Sequence, residues 1–276
     1  MILLDKSAYY KVLDPLKKVR INNLFARSVV ENHVAGKVYV DDHDMPATFY
    51  VIHPYGMSLL FGDSNNMKFN AAFRNYALNI NKTRSNFEWM QAFPAEWDKV
   101  LHTLFQDNLV KSSENNEGKE TGIIEINTRV NFRFNTEKYL AFRNKINPAA
   151  YQIVRTDHKI FREMRGTVVP MYFWNDADEF YNKGIGFSIF YDNQLASTAF
   201  SAYFIENKLE LGIETIPEFR KMGFAELVCS AIIDYCLKNN LEPVWSCRLE
   251  NKGSYHLAQK IGFEPVLEIP YYRLSK

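Results

Sequence analysis

The segment from residue 217 to residue 225 constrains the fold of this chain more than any other. It reads Pro-Glu-Phe-Arg-Lys-Met-Gly-Phe-Ala, between an apolar run that ends at Ile216 and a segment with helical spacing of apolar residues. The first N–H groups of a helix have no partner within it, and the helix dipole adds about half a positive charge there. A glycine at 223 lets the backbone approach a ligand closely. The sequence therefore predicts a strand, a phosphate-binding turn and a helix.

A second motif begins at Asn251 and ends at Phe263. It reads Asn-Lys-Gly-Ser-Tyr-His-Leu-Ala-Gln-Lys-Ile-Gly-Phe. Together with Arg220-x-x-Gly223-x-Ala225, it resembles the paired motifs of the GNAT N-acetyltransferase superfamily. Those motifs are a pyrophosphate loop, R/Q-x-x-G-x-G/A, and then N-x-x-S/A-x-x-L-x-x-K-x-G-F. The resemblance implies an α/β (α+β) protein with the GNAT fold, in which a mixed, mostly antiparallel sheet is flanked by helices.

Several further motifs resemble one branch of that superfamily, the two-part proteins related to zwittermicin A resistance acetyltransferases. These motifs are Val38–Asp42 with Met45-Pro46, Phe61–Asp63, Gly184–Phe187, Leu211–Thr215 and Trp245. The branch resemblance implies two parts, and Asn147-Pro148 is the candidate junction between them. Residues 1–147 are expected to form a divergent, GNAT-like domain without catalytic function, and residues 148–276 the acetyltransferase domain.

Periodicity and turn residues predict the elements around these motifs. Asp14-Pro15 suits a helix start, which predicts one helix over 14–30. A three-stranded meander is expected over 187–216, a helix from 219 or 220 to 237, and a strand over 244–247. The polar stretch 111–122 contains no large apolar side chain and is predicted to be a mobile loop.

Composition limits the possible partners. Thirty-three Lys and Arg residues against 32 Asp and Glu leave a net charge of +1, which gives no electrostatic reason to expect nucleic-acid binding. No apolar run approaches the ~18 residues of a membrane span. The three cysteines lack C-x-x-C spacing, and Cys229 and Cys236 are expected to be buried as small hydrophobic side chains. We therefore predict a reduced, soluble, cytoplasmic protein, a monomer or a homodimer, without nucleic-acid or membrane partners.

The acidic and histidine residues do not predict a metal site. Asp41, Asp42, His43 and Asp44 are adjacent in one predicted turn, where side chains seldom converge on one ion. The other histidines show no H-x-x-x-H spacing. We expect no metal cofactor.

The GNAT resemblance implies how acetyl-CoA is held. The N–H groups from Lys221 to Ala225 would bind the pyrophosphate, and backbone groups of Ile213–Thr215 would pair with the pantetheine arm as with an added strand. Asn251 would hydrogen-bond the pantetheine region, with help from Ser254. The full predicted cofactor set is Ile213, Thr215, Arg220, Lys221, Met222, Gly223, Phe224, Ala225, Asn251 and Ser254. Taken singly, Gly223 also suits a simple turn and Asn251 a helix N-cap.

Acetylation requires an uncharged amine, and this requirement predicts a base. An amine with a pKa of ~10.4 is less than about one part in a thousand neutral at pH 7, a cost of roughly 4–5 kcal/mol. Glu210 and Glu214 are four residues apart in a strand and share one face. Glu214 is nearer the loop and is the first candidate for the base or for holding a water, and Glu210 the second. The alternative is that both are solvent-facing carboxylates.

The proton for the leaving thiolate has no obvious donor. Many GNAT proteins carry a tyrosine directly after the leucine of the second motif, but this chain has Ala258. Tyr255, one helical turn earlier, is the first substitute, and Tyr271 and Tyr272 are others, although each also suits packing. A thiol pKa of about 8.5 also makes departure without a side-chain acid feasible.

The sequence thus predicts an enzyme that transfers an acetyl group from acetyl-CoA to an amine of a small molecule. A protein that binds or senses acyl-CoA, or that acts through protein contacts without turnover, is the alternative, and Ala258 favours it. An acyltransferase with a longer acyl donor is a third possibility, which depends on the width of the cleft near Trp245 and Phe224.

Overall fold

A computed structural model describes residues 1–112, 122–147 and 151–276. Most of the polar stretch predicted as a mobile loop, residues 113–121, lies outside the described residues, as does Pro148 of the predicted junction. The described chain forms two compact units. The first comprises Met1–Arg129, Arg248–Glu250 and Glu268–Lys276, and the second comprises Val130–Cys247 and Asn251–Leu267. The division therefore does not fall at a single point of the chain.

Helices and strands alternate irregularly along the chain. The elements up to residue 134 are β1 Ile2–Leu3, α1 Tyr10–Lys17, α2 Leu24–Val30, β2 Lys37–Val40, β3 Thr48–Ile52, β4 Met57–Gly62, α3 Met67–Ala77, β5 Glu88–Phe93, α4 Glu96–Phe105, β6 Leu109–Lys111 and β7 Ile124–Phe134. The later elements are α5 Thr136–Arg143, β8 Ile153–Arg155, α6 His158–Glu163, α7 Ala177–Lys183, β9 Gly186–Tyr191, β10 Gln194–Ile205, β11 Lys208–Thr215, α8 Phe224–Lys238, β12 Glu242–Val244, β13 Ser246–Arg248, α9 Lys252–Lys260 and β14 Phe263–Leu274.

The first unit is built on the strand order β1-β2-β3-β4-β5, to which the last residues of β14 add beside β5. The β4–β5 pair is parallel and the others are antiparallel. Large aromatic side chains fill the core, among them Trp97, Phe73 and Tyr272, all fully buried. Burial of a large aromatic side chain removes about 150–250 Å² from water, so this cluster is a main stabilising element of the unit.

The second unit contains a five-stranded sheet in the order β12-β11-β10-β9-β8. Neighbouring strands from β8 to β11 pair in antiparallel orientation. The last pair, between β11 and β12, is parallel, and the crossover helix α8 connects its two strands. The tight β9–β10 turn contains Asp192 and Asn193 with φ of 48° and 61°. This left-handed geometry favours Asn and Asp and confirms the predicted hairpin. Mixed sheets flanked by helices confirm the predicted fold class.

Several predicted element boundaries were wrong. The helix expected over 14–30 is two helices, α1 and α2, and Pro15 lies inside α1 rather than at its start. The Asn23 side chain, in the segment between the two helices, donates to the carbonyls of Leu16 in α1 and of Val19 just after it, both at 3.4 Å. The strand expected over 244–247 is interrupted at Trp245, between β12 and β13.

The cysteine prediction is confirmed. Cys229 and Cys236 are fully buried on α8 as free thiols, and burial raises the pKa of Cys236 to about 12. Cys247 is also free and buried. In the part of the chain that the structure describes, no helix is both long and apolar enough to cross a bilayer.

A buried histidine follows β3 in the first unit. His53 is 1% exposed, and the backbone N–H of Tyr55 donates to its Nδ1 at 3.0 Å. This bond fits a neutral ring that carries its proton on Nε2. Burial lowers the pKa of His53 to about 3, because the charged ring would lose its hydration.

We expect this histidine to reduce the stability of the protein in acid. The unfolded chain binds a proton at His53 below pH ~6.5, whereas the folded chain does so only near its lowered pKa, so the free energy of unfolding falls as the pH drops between those values. Wild type and His53→Phe should be compared by urea unfolding at about pH 7.5 and about pH 5.5. The free energy of unfolding of the wild type, relative to that of His53→Phe, should be about 1 kcal/mol lower at the lower pH than at the higher pH. A difference that is independent of pH would contradict a neutral His53.

Candidate active site

A cavity of about 530 Å³ opens in the second unit, where β11 ends and α8 begins. Such a volume lies within the range of ligand pockets, about 300–1,000 Å³. Its lining residues come from the segment after α6, the end of β11, the loop before α8 and the first turns of α8 and α9. They are Thr167, Val168, Ile213–Thr215, Phe219–Lys221, Gly223–Glu226, Asn251, Gly253, Ser254 and Leu257. Two motifs that are separate in the sequence therefore line one cavity.

The loop before α8 presents backbone donors to this cavity. Pro217–Phe219 form a short 3-10 helix, and α8 begins only at Phe224, four or five residues later than predicted. Among the described residues, no acceptor takes a hydrogen bond from the five N–H groups of Lys221 to Ala225. Lys221 and Gly223 have φ of 66° and 84°. Left-handed residues within such a turn direct successive N–H groups inward, an arrangement that binds anions.

Gly223 meets two requirements at once. Its positive φ is strained for any residue with a Cβ. A Cβ built at this position would meet no atom within 4 Å, so packing among the described residues does not require a glycine here. The open space above Gly223 is part of the cavity and is accessible to a ligand.

The end of β11 offers an open edge beside this loop. Strand β12 pairs with Lys208, Leu209 and Glu210 only. The following residues of β11, 211–215, pair with β10 on one side and have no strand partner in the β12 direction among the described residues. Ile213 and Thr215 lie on this free edge and line the cavity. An extended ligand arm with amide groups can add to such an edge as a further strand.

Glu214 fastens a neighbouring loop to the end of β11. One carboxylate oxygen accepts hydrogen bonds from the backbone N–H groups of Thr167 at 2.8 Å and Val168 at 2.9 Å. Gly166 precedes them with φ of 149°, and a Cβ there would lie 2.6 Å from the Glu214 side chain. The other oxygen lies 3.8 Å from Arg220. No local sequence signal indicated this loop, because its partner is 47 residues away along the chain.

Arg220 holds the start of the anion loop. Its Nε donates to the carbonyl of Thr215 at 3.2 Å, and its Nη2 lies near Glu214. The side chain is 60% exposed, so the ion pair itself contributes little in solvent. Its guanidinium is nevertheless placed at the cavity wall, where it can meet an anionic ligand.

The second motif combines capping with cavity lining. Asn251 accepts a hydrogen bond from the backbone N–H of Ser254 at 3.2 Å and is the N-cap of α9. The indole N–H of Trp245 donates to Ser254 Oγ at 3.3 Å, and Trp245 is 2% exposed. Lys260 pairs with Glu226 in the first turn of α8. The motif therefore positions α9 against the loop that carries the backbone donors.

The sequence profile of the family described as GNAT acetyltransferase matches residues 15–272. The chain belongs to the GNAT acetyltransferase family. The match spans both halves of the chain, and it confirms the family that the two motifs predicted.

Relatives of this GNAT acetyltransferase extend over nearly its whole length. The uncharacterized N-acetyltransferase YdfB of Bacillus subtilis (strain 168) is 27% identical over 251 residues, which cover 90% of this chain and 89% of the relative. A GCN5-related N-acetyltransferase-like protein from Streptococcus suis 89/1591 has a similar structure, with a TM-score of 0.69 at 16% identity over 96% and 98% of the two chains. A tandem GNAT protein from the clavulanic acid biosynthesis pathway superposes with a TM-score of 0.60 at 11% identity over 99% and 98%. These structural similarities show the GNAT fold.

The three predicted catalytic residues occupy different environments in this GNAT acetyltransferase. Glu214 lines the cavity, whereas Glu210 and Tyr255 are not among the described residues that line it. Glu210 is 4% exposed and lies opposite Tyr203 of β10. The Tyr255 ring packs against Phe132 with centroids 5.6 Å apart. Only Glu214 is thus brought next to the predicted cofactor residues.

Ala258 lies where many GNAT proteins carry a tyrosine, and it is 0% exposed. Its environment in α9 is closed by packing, which leaves no access for solvent to this position. The residue that sequence comparison would expect to supply the proton is therefore replaced here by a small side chain inside the core.

Proposed function

We propose that this GNAT protein transfers an acetyl group from acetyl-CoA to an amine of a small molecule, and that it belongs to the branch resembling zwittermicin A resistance acetyltransferases. The observation that carries the proposal is the set of N–H groups from Lys221 to Ala225. They have no acceptors among the described residues, and all of these residues except Met222 line the cavity beside the open edge of β11. A pyrophosphate fits the first feature and an amide-containing arm fits the second. The proposed acetyl-CoA site also includes Ile213, Thr215, Arg220, Asn251 and Ser254.

In this proposal the bound cosubstrate supplies an activated thioester, and the chain supplies binding and proton transfer. Arg220 and the loop N–H groups hold the phosphates. Glu214 accepts the amine proton through a water. One oxygen of its carboxylate receives the Thr167 and Val168 N–H groups, and the other, nearer Arg220, has lone pairs left for this water. Glu210 is the second candidate for this role. Tyr255 is the candidate for protonating the leaving thiolate.

The proposal assigns different roles to the two parts of the chain. The predicted domain 148–276 contains every residue of the proposed site, and residues 1–147 are proposed to be a divergent, non-catalytic GNAT-like domain. The acceptor is proposed to be a small amine, and the assembly a monomer or a homodimer.

One alternative has an observation in its favour. Buried Ala258 and the occupied Glu214 carboxylate suit a protein that binds or senses acyl-CoA without turnover. Calorimetric titration with acetyl-CoA, followed by thiol-release assays on polyamines, amino sugars and aminoglycosides, separates the two functions. Binding with acceptor-dependent thiol release supports the transferase. Binding of acetyl-CoA without thiol release for any of the amines favours the sensing function. Absence of acetyl-CoA binding overturns both functions.

Substitution of Glu214 by Gln tests its proton-transfer role. The amide oxygen still accepts the Thr167 and Val168 N–H groups, but the base is lost. We therefore expect kcat to fall about 10²-fold while KM for acetyl-CoA stays near the wild-type value. Steady-state kinetics over a range of pH provide the measurement, with Glu210→Gln as the comparison. If Glu214 only fastens the loop, KM and the melting temperature will change together and the shape of the pH profile will not.

A further inference from the structure

A second cavity, of about 590 Å³, lies within the first unit and takes no part in the proposed acetyl transfer. It is bordered by the turn after β3, the start of β2 and the segment that leads into β5. Charged and aromatic side chains line it, including Lys37, Tyr39, Tyr76, Arg84 and Glu88. A buried acid and a buried base on one cavity wall are costly unless they have partners.

Glu88 is a buried carboxylate with remaining acceptor capacity. It is 5% exposed, and its two oxygens accept hydrogen bonds from the hydroxyl groups of Tyr76 and Tyr50. A carboxylate has about four lone-pair directions, so two are left. Burial raises the pKa of Glu88, and the hydrogen bonds from the two tyrosines and the charges of Arg84 and Lys37 oppose that rise. No cation forms an ion pair with Glu88 in the described part of the chain.

Arg84 is a buried cation on the wall of the same cavity. It is 8% exposed, and its Nη1 donates to the carbonyl of Tyr76 at 2.8 Å. Its Nη2 donates to the carbonyls of Ala77 and Ser275. Among the described residues, no acceptor takes a hydrogen bond from Nε. The guanidinium is therefore fixed by the backbone, and because Nε is itself buried, Arg84 offers a ligand its positive charge rather than this donor.

The negative charge of Glu88 and the positive charge of Arg84 favour a ligand that carries both a positive and a negative group. A simple amine would be attracted by Glu88 but repelled by Arg84 and by Lys37, which is exposed. A simple carboxylate would be attracted by Arg84 and Lys37 but repelled by Glu88. The rings of Tyr39 and Tyr76, 5.8 Å apart, add aromatic surface. The volume falls within the range of small-ligand pockets.

We propose that this cavity binds a free amino acid or a similar small zwitterion, with its ammonium group at Glu88 and its carboxylate at Arg84 and Lys37. The ammonium group of the ligand satisfies the remaining acceptors of the buried acid, and its carboxylate is attracted by the charges of Arg84 and Lys37 on the cavity wall. Charge-assisted hydrogen bonds of this kind are stronger than neutral ones. The site would make the first unit a ligand-binding module, independent of whether the second unit turns over.

The test uses the full-length protein and calorimetric titration with each of the common L-amino acids, β-alanine and γ-aminobutyrate. Propylammonium and propionate are the single-charge probes. We expect at least one zwitterion to bind and both single-charge probes to bind more weakly. In Glu88→Gln the affinity should fall about tenfold or more, because a charged hydrogen-bond acceptor is lost. Glu96→Gln, an exposed residue at the start of α4, removes the same charge outside the cavity and should bind like the wild type.

Three results overturn the proposal. They are the absence of binding by every zwitterion up to about 10 mM, equal binding by propylammonium or by propionate, and unchanged affinity in Glu88→Gln. If Glu88→Gln does not fold, as judged by its thermal unfolding, exposed Lys37→Gln replaces it. The proposal then requires Lys37→Gln to weaken zwitterion binding and not to weaken propylammonium binding.

Discussion

Substitution of Gly223 by Glu is expected to weaken the binding of acetyl-CoA about a hundredfold or more. The new side chain would enter the open space of the cavity, where its carboxylate would compete with pyrophosphate for the N–H groups of Lys221 to Ala225. The positive φ of 84° adds backbone strain of about 1 kcal/mol. We expect the affinity to fall about a hundredfold or more, equivalent to about 3 kcal/mol. Calorimetric titration with acetyl-CoA and with CoA measures the change.

Asn240→Glu is the matched control for that variant. Asn240 follows the other end of the same helix, is exposed, and has φ of 55°, so the control introduces the same charge and a similar strain away from the cavity. It should bind acetyl-CoA like the wild type. Wild-type affinity in Gly223→Glu would show that the cofactor does not use this loop.

Substitution of Ala258 by Tyr is expected to destabilise the second unit rather than to restore a catalytic acid. Ala258 is 0% exposed, so a phenol ring has no space without displacement of the surrounding core. Overpacking by a few methylene groups costs about 1–3 kcal/mol, and a whole ring should cost about 3 kcal/mol or more. Urea unfolding of the two proteins measures the difference in the free energy of unfolding.

Gln259→Tyr provides the comparison at the adjacent position. Gln259 is exposed, so the same side chain should change stability by less than about 0.5 kcal/mol. A stable Ala258→Tyr protein with increased thiol release would instead show that residue 258 reaches the thioester. It would also show that the fold has space for an acid at this position, which the native chain does not use.

Local patterns predicted those elements that depend on near neighbours. The meander β9–β11 follows from alternating apolar residues and an Asp-Asn turn. The anion loop and the second motif were also identified, because the residues of each motif are close in sequence. Their meeting at one cavity was implied only by family resemblance, since no local rule brings residue 223 to residue 251.

Contacts between distant residues could not be predicted. The strand β5 was missed because its sequence, Glu-Trp-Met-Gln-Ala-Phe, mixes polar and apolar residues without clear alternation. The start of α8 was placed too early because Arg220 and Lys221 suit a helix by propensity, whereas the chain there adopts extended and left-handed conformations. The hydrogen bonds of Glu214 to Thr167, and of Glu88 to Tyr50, join residues whose relation is set by tertiary structure alone.

The assignment of Glu268–Lys276 to the first unit has a consequence for the order of events during synthesis. Tyr272 pairs with Met90 in β5, is fully buried, and donates a hydrogen bond to Asp98 at 3.0 Å. The carbonyl of Ser275 accepts from Arg84. Since a ribosome makes residues 268–276 after all the other residues of this unit, the first unit cannot close its sheet or fix Arg84 until those residues have been synthesised. The proposed amino acid pocket would then form only after Ser275 has been added to the chain.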